Sequence, residues 1–370
     1  MKMYRLLTAI LIIFAGIYFT SCDSTEKVIP YGDSILPQSF KVDIPTSLSQ
    51  EIETANDRLL ETNELNGNEI YSHLNSFIHA GEGAADIVEG IFASIATYEI
   101  NKSMSFTYKS KDDARTKRLN IIENSEYDGQ QSEFQLTIID VDSEDNEDGG
   151  KAIRIFWNRT PIKSIALIKP YYINRNNDES WVETTFRIDY SEEPNLDYDA
   201  YMTVYITDLP MLLPVEDPYA MKSMKMFAGR KSNIIDVYGN SDHPAATIFS
   251  GNTGFNWAFV ASGNETSNIA VAEVGLPPGG LDESRREVLL KQYSINNVFK
   301  SEIEEVWPGI DESVVASFLQ NTDAPGYFNV DGFLRSGKSP WSKYDELEER
   351  MDNLNPYNPK EIQDLSIEFK

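Results

Sequence analysis

The sequence predicts an α+β protein: one large antiparallel sheet of about ten strands in meander order, able to curl into a half-barrel, with N-terminal and C-terminal helices packed on it. Two observations predict this. Residues 101–275 keep apolar and polar positions in alternation with no helical spacing between the runs, whereas 46–100 and 276–370 carry apolar residues three and four apart. A third, 41% hydrophobic and 11% aromatic residues in 370, supplies enough apolar material for one folded domain.

The first stretch is an export leader. Lys2 and Arg5 precede a nearly unbroken apolar run from Leu6 to Phe19, too short to cross a bilayer comfortably and of the length of a secretory h-region. Phe19-Thr20-Ser21-Cys22 follows, and Cys22 is the only cysteine in the chain. This stretch resembles the signal peptide and lipobox of bacterial lipoproteins, in the looser form found in Bacteroidetes. The resemblance implies removal of residues 1–21, acylation of Cys22 and attachment to the outer membrane through its acyl chains, facing the periplasm or the exterior. With Cys22 acylated, no thiol is left for disulfides, zinc or thiol catalysis.

Residues 22–45 read as a flexible tether, with Pro30, Pro37 and Pro45 among Ser and Thr. Within it Asp23-Ser24-Thr25 and Asp33-Ser34-Ile35 resemble the O-glycosylation acceptor of Bacteroidetes, which marks Ser24 and Ser34. The folded domain is expected from 46 to 370. Ser47 and Gln50 have capping-box spacing ahead of Leu48, Ile52, Ala55 and Leu59, one face of an amphipathic helix. A second helix is expected over Glu69–Ala80, with an interruption at Gly81-Glu82-Gly83. A third, Ala84–Ile100, is apolar nearly all round and therefore buried.

Strands are expected at 103–109, 133–141, 152–158, 164–173, 182–190, 200–206, 233–238, 247–249, 255–262 and 269–274, with a turn at Gly239-Asn240 among others. Pro277-Pro278-Gly279-Gly280 ends this texture. Asp282, Asp311 and Ser342 then stand as caps of three helices, the first broken near Ser294. Asn321–Pro340 reads as a loop, and the alternation of Leu365, Ile367 and Phe369 as a final strand.

A net charge of -27 excludes nucleic acid as a partner and repels anionic headgroups, leaving the lipid to hold the chain at the membrane. No motif for a cofactor or metal is present. The acidic run Asp140, Asp142, Glu144, Asp145, Glu147, Asp148 lacks the glycine and closing glutamate of a calcium loop and reads as a solvated hairpin. His73 and His79 stand six apart, on different helix faces, and His243 precedes Pro244, so packing roles are expected. Met221, Met224, Met226 and Phe227, ringed by Lys222, Lys225, Arg230 and Lys231, form a candidate basic and apolar binding patch. Tyr201, Tyr205, Trp181 and Trp257 are candidates for stacking on sugars. The resulting expectation is a non-enzymatic envelope module that binds another envelope protein or a small ligand. A carrier of lipid in a cavity between sheet and helices, and a glycan-binding protein or glycoside hydrolase, are its rivals.

Overall fold

Alternation with period two leaves every strand one apolar face, and an apolar helix has to cover it. The computed structural model describes residues 35–37, 39–49, 65–96, 100, 102–195, 197–211, 220–248 and 252–369. In chain order these hold α1 (Thr46–Ser49), β1 (Leu65–Asn66), α2 (Gly67–Ala96), β2 (Met104–Lys109), β3 (Thr116–Tyr127), β4 (Gln130–Asp140), β5 (Lys151–Arg159) and β6 (Ile162–Ile168). Then come α3 (Pro170–Ile173), β7 (Thr185–Ser191), β8 (Ala200–Thr207), β9 (Ser223–Lys231), β10 (Ile234–Ile248), β11 (Asn252–Asn264) and β12 (Ile269–Gly275). The chain closes with α4 (Ile295–Val306), α5 (Glu312–Phe318), β13 (Leu319–Gln320), β14 (Gly326–Asn329), β15 (Gly332–Ser336), α6 (Asp345–Met351) and α7 (Pro359–Gln363).

The α+β expectation holds. One sheet of 13 strands runs β15-β14-β12-β11-β10-β9-β8-β7-β6-β5-β4-β3-β2, antiparallel throughout, and β2 and β15 are its edges. β1 and β13 make a separate parallel pair. Across one face lies α2. Tyr71 stacks on Phe333 of β15, Phe77 meets Phe259 of β11 edge-on, and Phe92 meets Trp157 of β5. A helix of 30 residues is about 45 Å long, close to the roughly 43 Å between the first and last of the ten strands from β15 to β5. One helix therefore bridges most of the sheet.

The expected interruption of this helix is absent. A Cβ at Gly81 would sit 2.4 Å from Cε and 2.9 Å from Sδ of Met226. The glycine admits the sheet's side chains close to the helix axis and does not break the helix. Gly239 is likewise inside β10, not in a turn: its Cβ would meet the carbonyl oxygen of Lys225 at 2.6 Å.

The tether expectation is corrected over its second half. Ile35, Phe40, Val42 and Ile44 are buried in the main core, and Phe40 stacks on Phe92 at 4.3 Å. Among the described residues this segment pairs with no strand; Ile35 N–H donates to the Ile100 carbonyl, and other amides find side-chain acceptors. Glu89 Oε1 accepts from the Phe40 N–H at 3.1 Å, Glu82 Oε1 from the Ile44 N–H at 3.2 Å, and Lys41 Nζ donates to Asp86 Oδ1 at 2.6 Å. Proline and serine gave the stretch a linker's composition. Its apolar residues, two apart, are what bury it.

The C-terminal region also departs from expectation. Residues 321–340 include β14 and β15 and extend the sheet. Leu365–Phe369 form no strand: both sheet edges lie far from where α7 delivers the chain, over the middle of the outer face. There Ile367 and Phe369 pack on Phe156, Ile165 and Leu167, and the Tyr127 hydroxyl donates to the Glu368 carbonyl at 2.7 Å. Of the three expected helix caps only Asp311 serves, its Oδ1 accepting from Ser313 N; Ser294, the expected break, caps α4 by accepting from Asn297 N, Asp282 instead accepts from Asn358 Nδ2, and Ser342 lies inside a short turn preceded by Trp341. Most of the helix predicted from Ser47 to about Asn66-Gly67 falls outside the described residues.

Candidate functional site

The register of five neighbouring strands aligns the outward side chains into rows. Phe156, Ile165, Asp189 and Thr203 stand side by side on β5 to β8, and beside them run Asn158, Lys163, Ser191 and Tyr201. Gln130, Gln131 and Ser132, at the start of β4, close one side. Together these residues enclose a pocket of about 230 Å³ on the outer face of the sheet. Its floor is apolar and aromatic, and its rim carries amides, hydroxyls, one ammonium and one carboxylate.

Both charges are tied. Lys163 pairs with Glu193, and Arg187 donates to Asp189 Oδ1 at 2.8 Å. Burial pushes the Asp189 carboxyl above its ordinary range, and the neighbouring Arg187 offsets this only in part. Burial works against the Arg187 charge too, but the bond to Asp189 outweighs it and raises its pKa. The pocket thus offers hydrogen bonds without net charge.

A third row runs alongside the floor: Arg154, Leu167, Arg187, Tyr205 and Lys225 on β5 to β9. Burial lowers the pKa of Arg154 and of Lys225, and pushes the Tyr205 phenol up to about 12, with Asp189 adding to it. Arg154 lies over Phe156 at 4.7 Å and Lys225 over Tyr357 at 3.9 Å. Tyr357 begins the C-terminal strap, which is fixed by its N–H to Asn240 Oδ1 at 2.7 Å and by Ser223 Oγ to the Ile362 carbonyl at 2.8 Å.

Of the residues singled out from the sequence, Tyr201 lines this pocket and Tyr205 stands in the adjoining row. Trp181 is buried in the main core, and Trp257 lies on the helix face of the sheet, edge-on to His73 at 6.1 Å. The Met221, Met224, Met226 and Phe227 patch is divided between the two faces. Met224 and Met226 are wholly buried beneath α2, whereas Phe227, one residue on, points outward and stacks on Tyr238 at 4.7 Å. Met221 only borders the core. Alternation along β9 separates what sequence proximity had grouped. Cys22, Ser24 and Ser34 lie outside the described residues.

The acidic loop is not simply solvated. Asp140, wholly buried, takes Arg115 Nε at 2.7 Å, Arg175 Nε at 3.0 Å and Lys117 Nζ at 3.4 Å, and Asp148 takes Lys169 Nζ at 3.2 Å. Burial alone would raise the Asp140 pKa, but the bond from Arg115 and the three cations pull it below the usual range. Carboxylates committed to cations are poor calcium ligands. Among the described residues no group of three or more His, Cys, Asp or Glu could hold a metal ion. Ser241 Oγ lies 2.7 Å from His243 Nε2, yet Ser241 is wholly buried, out of reach of a substrate.

Comparison with protein-family models, with curated proteins and with solved structures returned no match.

Proposed function

We propose that the chain is a lipid-anchored protein of the bacterial cell envelope that binds its ligand without transforming it, and that the outer-face pocket is where it holds a single neutral sugar ring. The observation that carries this reading is the row of Phe156, Ile165 and Thr203 beneath a rim of Gln131, Asn158, Ser191 and Tyr201. An apolar floor suits the C–H face of a sugar and the rim suits its hydroxyls. At about 230 Å³ the pocket is below the roughly 300–1,000 Å³ of drug-sized sites, which limits it to one small unit.

Hydrolysis would need two carboxylates flanking the bond, and Asp189 is the one carboxylate in the lining. The carrier reading loses ground because the helix face is filled: Ala84, Ala85, Ile87, Val88, Ile91, Phe92, Ile95 and Ile100 are all buried against the sheet. A protein partner is the second reading, favoured by Val306, Trp307 and Val314, which stay exposed around the turn between α4 and α5. Binding of the full chain to an array of immobilised glycans tests the leading reading. Retention on one sugar class that Tyr201→Ala abolishes supports it, and a blank array contradicts it. For the anchor, wild-type cells are expected to incorporate labelled palmitate into the protein and Cys22→Ala cells to incorporate none.

A further inference from the structure

The C-terminal tip lies against the pocket's own floor. Phe156 and Ile165 line the pocket and also belong to the outer cluster that Ile367 and Phe369 cover. Beneath the tip the surface continues as Leu167 and as Tyr127, which stacks on Phe156 with ring centroids 5.0 Å apart. Above these rings lies Arg154, 4.7 Å from the Phe156 centroid and 5.9 Å from that of Tyr127. Its Nε is buried and has no hydrogen-bond partner, and among the described residues the guanidinium forms no ion pair. In a chain with 59 acidic and 32 basic residues, a counter-ion for this arginine would be easy to supply. None is in place.

The tip is held by side-chain contacts and not by a strand ladder: Lys169 lies over the Phe369 ring at 5.0 Å, and the Tyr127 hydroxyl donates to the Glu368 carbonyl. Residues 365, 367 and 369 are half-buried, 364, 366 and 368 are exposed, and Ile362 just before them is wholly buried. Segments with little burial and no ladder hydrogen bonds open at low cost.

We infer that the pocket continues beneath the C-terminal tip into a second subsite for a carboxylate-bearing sugar, with Arg154 as its counter-ion and residues 365–369 as a displaceable cover. The ligand is then an extended glycan containing a uronic acid next to a neutral unit. The Tyr127 and Phe156 rings offer the stacking surface, and the guanidinium a planar fork for the carboxylate. This rests on the sugar-binding reading of the pocket.

The test is calorimetric titration of the full chain with two trisaccharides of the same linkage, one neutral and one with a single uronate. Wild type is expected to bind the uronate about tenfold tighter, the usual gain from one charge-assisted contact. Arg154→Gln should bring the two affinities to within about twofold of each other, and Arg154→Lys should keep part of the difference. A chain shortened to end at Asp364 should bind both trisaccharides several-fold tighter. Thermal melting confirms that each variant is folded. Equal affinity of wild type and Arg154→Gln for the uronate overturns this inference alone. No response to any sugar overturns the pocket reading together with it, and so does binding of an acidic peptide in place of both sugars.

Discussion

Asp140 shows how one buried carboxylate sets local stability. Three cations, Arg115, Lys117 and Arg175, converge on its Oδ2. Removing the negative charge leaves them without a counter-ion, and Asp140→Asn is expected to cost roughly 3 kcal/mol, the low end for a broken buried pair because Arg115 still reaches water. Chemical denaturation at neutral pH measures this. Because the folded state holds the Asp140 carboxyl below its unfolded value, the unfolded chain binds more protons between the two. The stabilisation is complete above the unfolded carboxylate pKa, about 3.9, and is lost as pH falls through the folded value. Asp140→Asn should flatten the acid limb of stability against pH, and an unchanged limb would show that the cluster does not titrate with folding. The sequence displayed this aspartate only as one of six acids in a run. Its partners come from positions 115, 117 and 175, and no local spacing announces them. The same limit applies to Asp189, whose place in the pocket depends on the pairing of β6, β7 and β8.

Between α2 and residues 35–49 the logic is that of an element that has to satisfy its own backbone. The helix presents Glu82, Asp86 and Glu89, spaced four and three apart and thus on one face, to the segment beside it. Glu89→Ala leaves the buried Phe40 N–H unsatisfied and is expected to cost about 1–3 kcal/mol, whereas Glu89→Gln keeps an acceptor oxygen and should cost less. Hydrogen exchange at Phe40 reports the difference: the amide should lose protection in Glu89→Ala and hold most of it in Glu89→Gln. Helical spacing made the buried stretch from Ala84 legible. Glycine hid its continuity, since the residue that marks a break in an isolated helix also marks a close approach in a packed one. Strands β3 and β9 were missed for related reasons. In β3 only Leu119 and Ile121 are buried apolar residues amid charges, and β9 is built on Met and Gly, residues with weak strand preference.

Over the whole molecule, a meander of 13 strands is tied together by α2, with α4 beside it, on its first face and by α6, α7 and the strap on its second. Texture alone announced the antiparallel class, because strands follow one another without crossover helices. Register was beyond reach, and the outer-face pocket exists only through register. The layering also predicts an order of opening. Residues 365–369 should exchange amide hydrogens first among the C-terminal elements, and Tyr344, Leu347 and Met351 of the second core last, as peptide-level hydrogen exchange will show. Simultaneous loss of protection over 340–369 would mean that the strap has no separate tip.

If the outer-face pocket is the ligand site, a side chain that fills it removes binding. Thr203 lines the pocket from β8, half-buried, with its side chain hydrogen-bonded to Tyr357 of the strap. Thr203→Trp, shown by thermal melting to be folded, should abolish sugar binding in calorimetric titration of the full chain. Undiminished binding by a folded Thr203→Trp protein would place the ligand elsewhere.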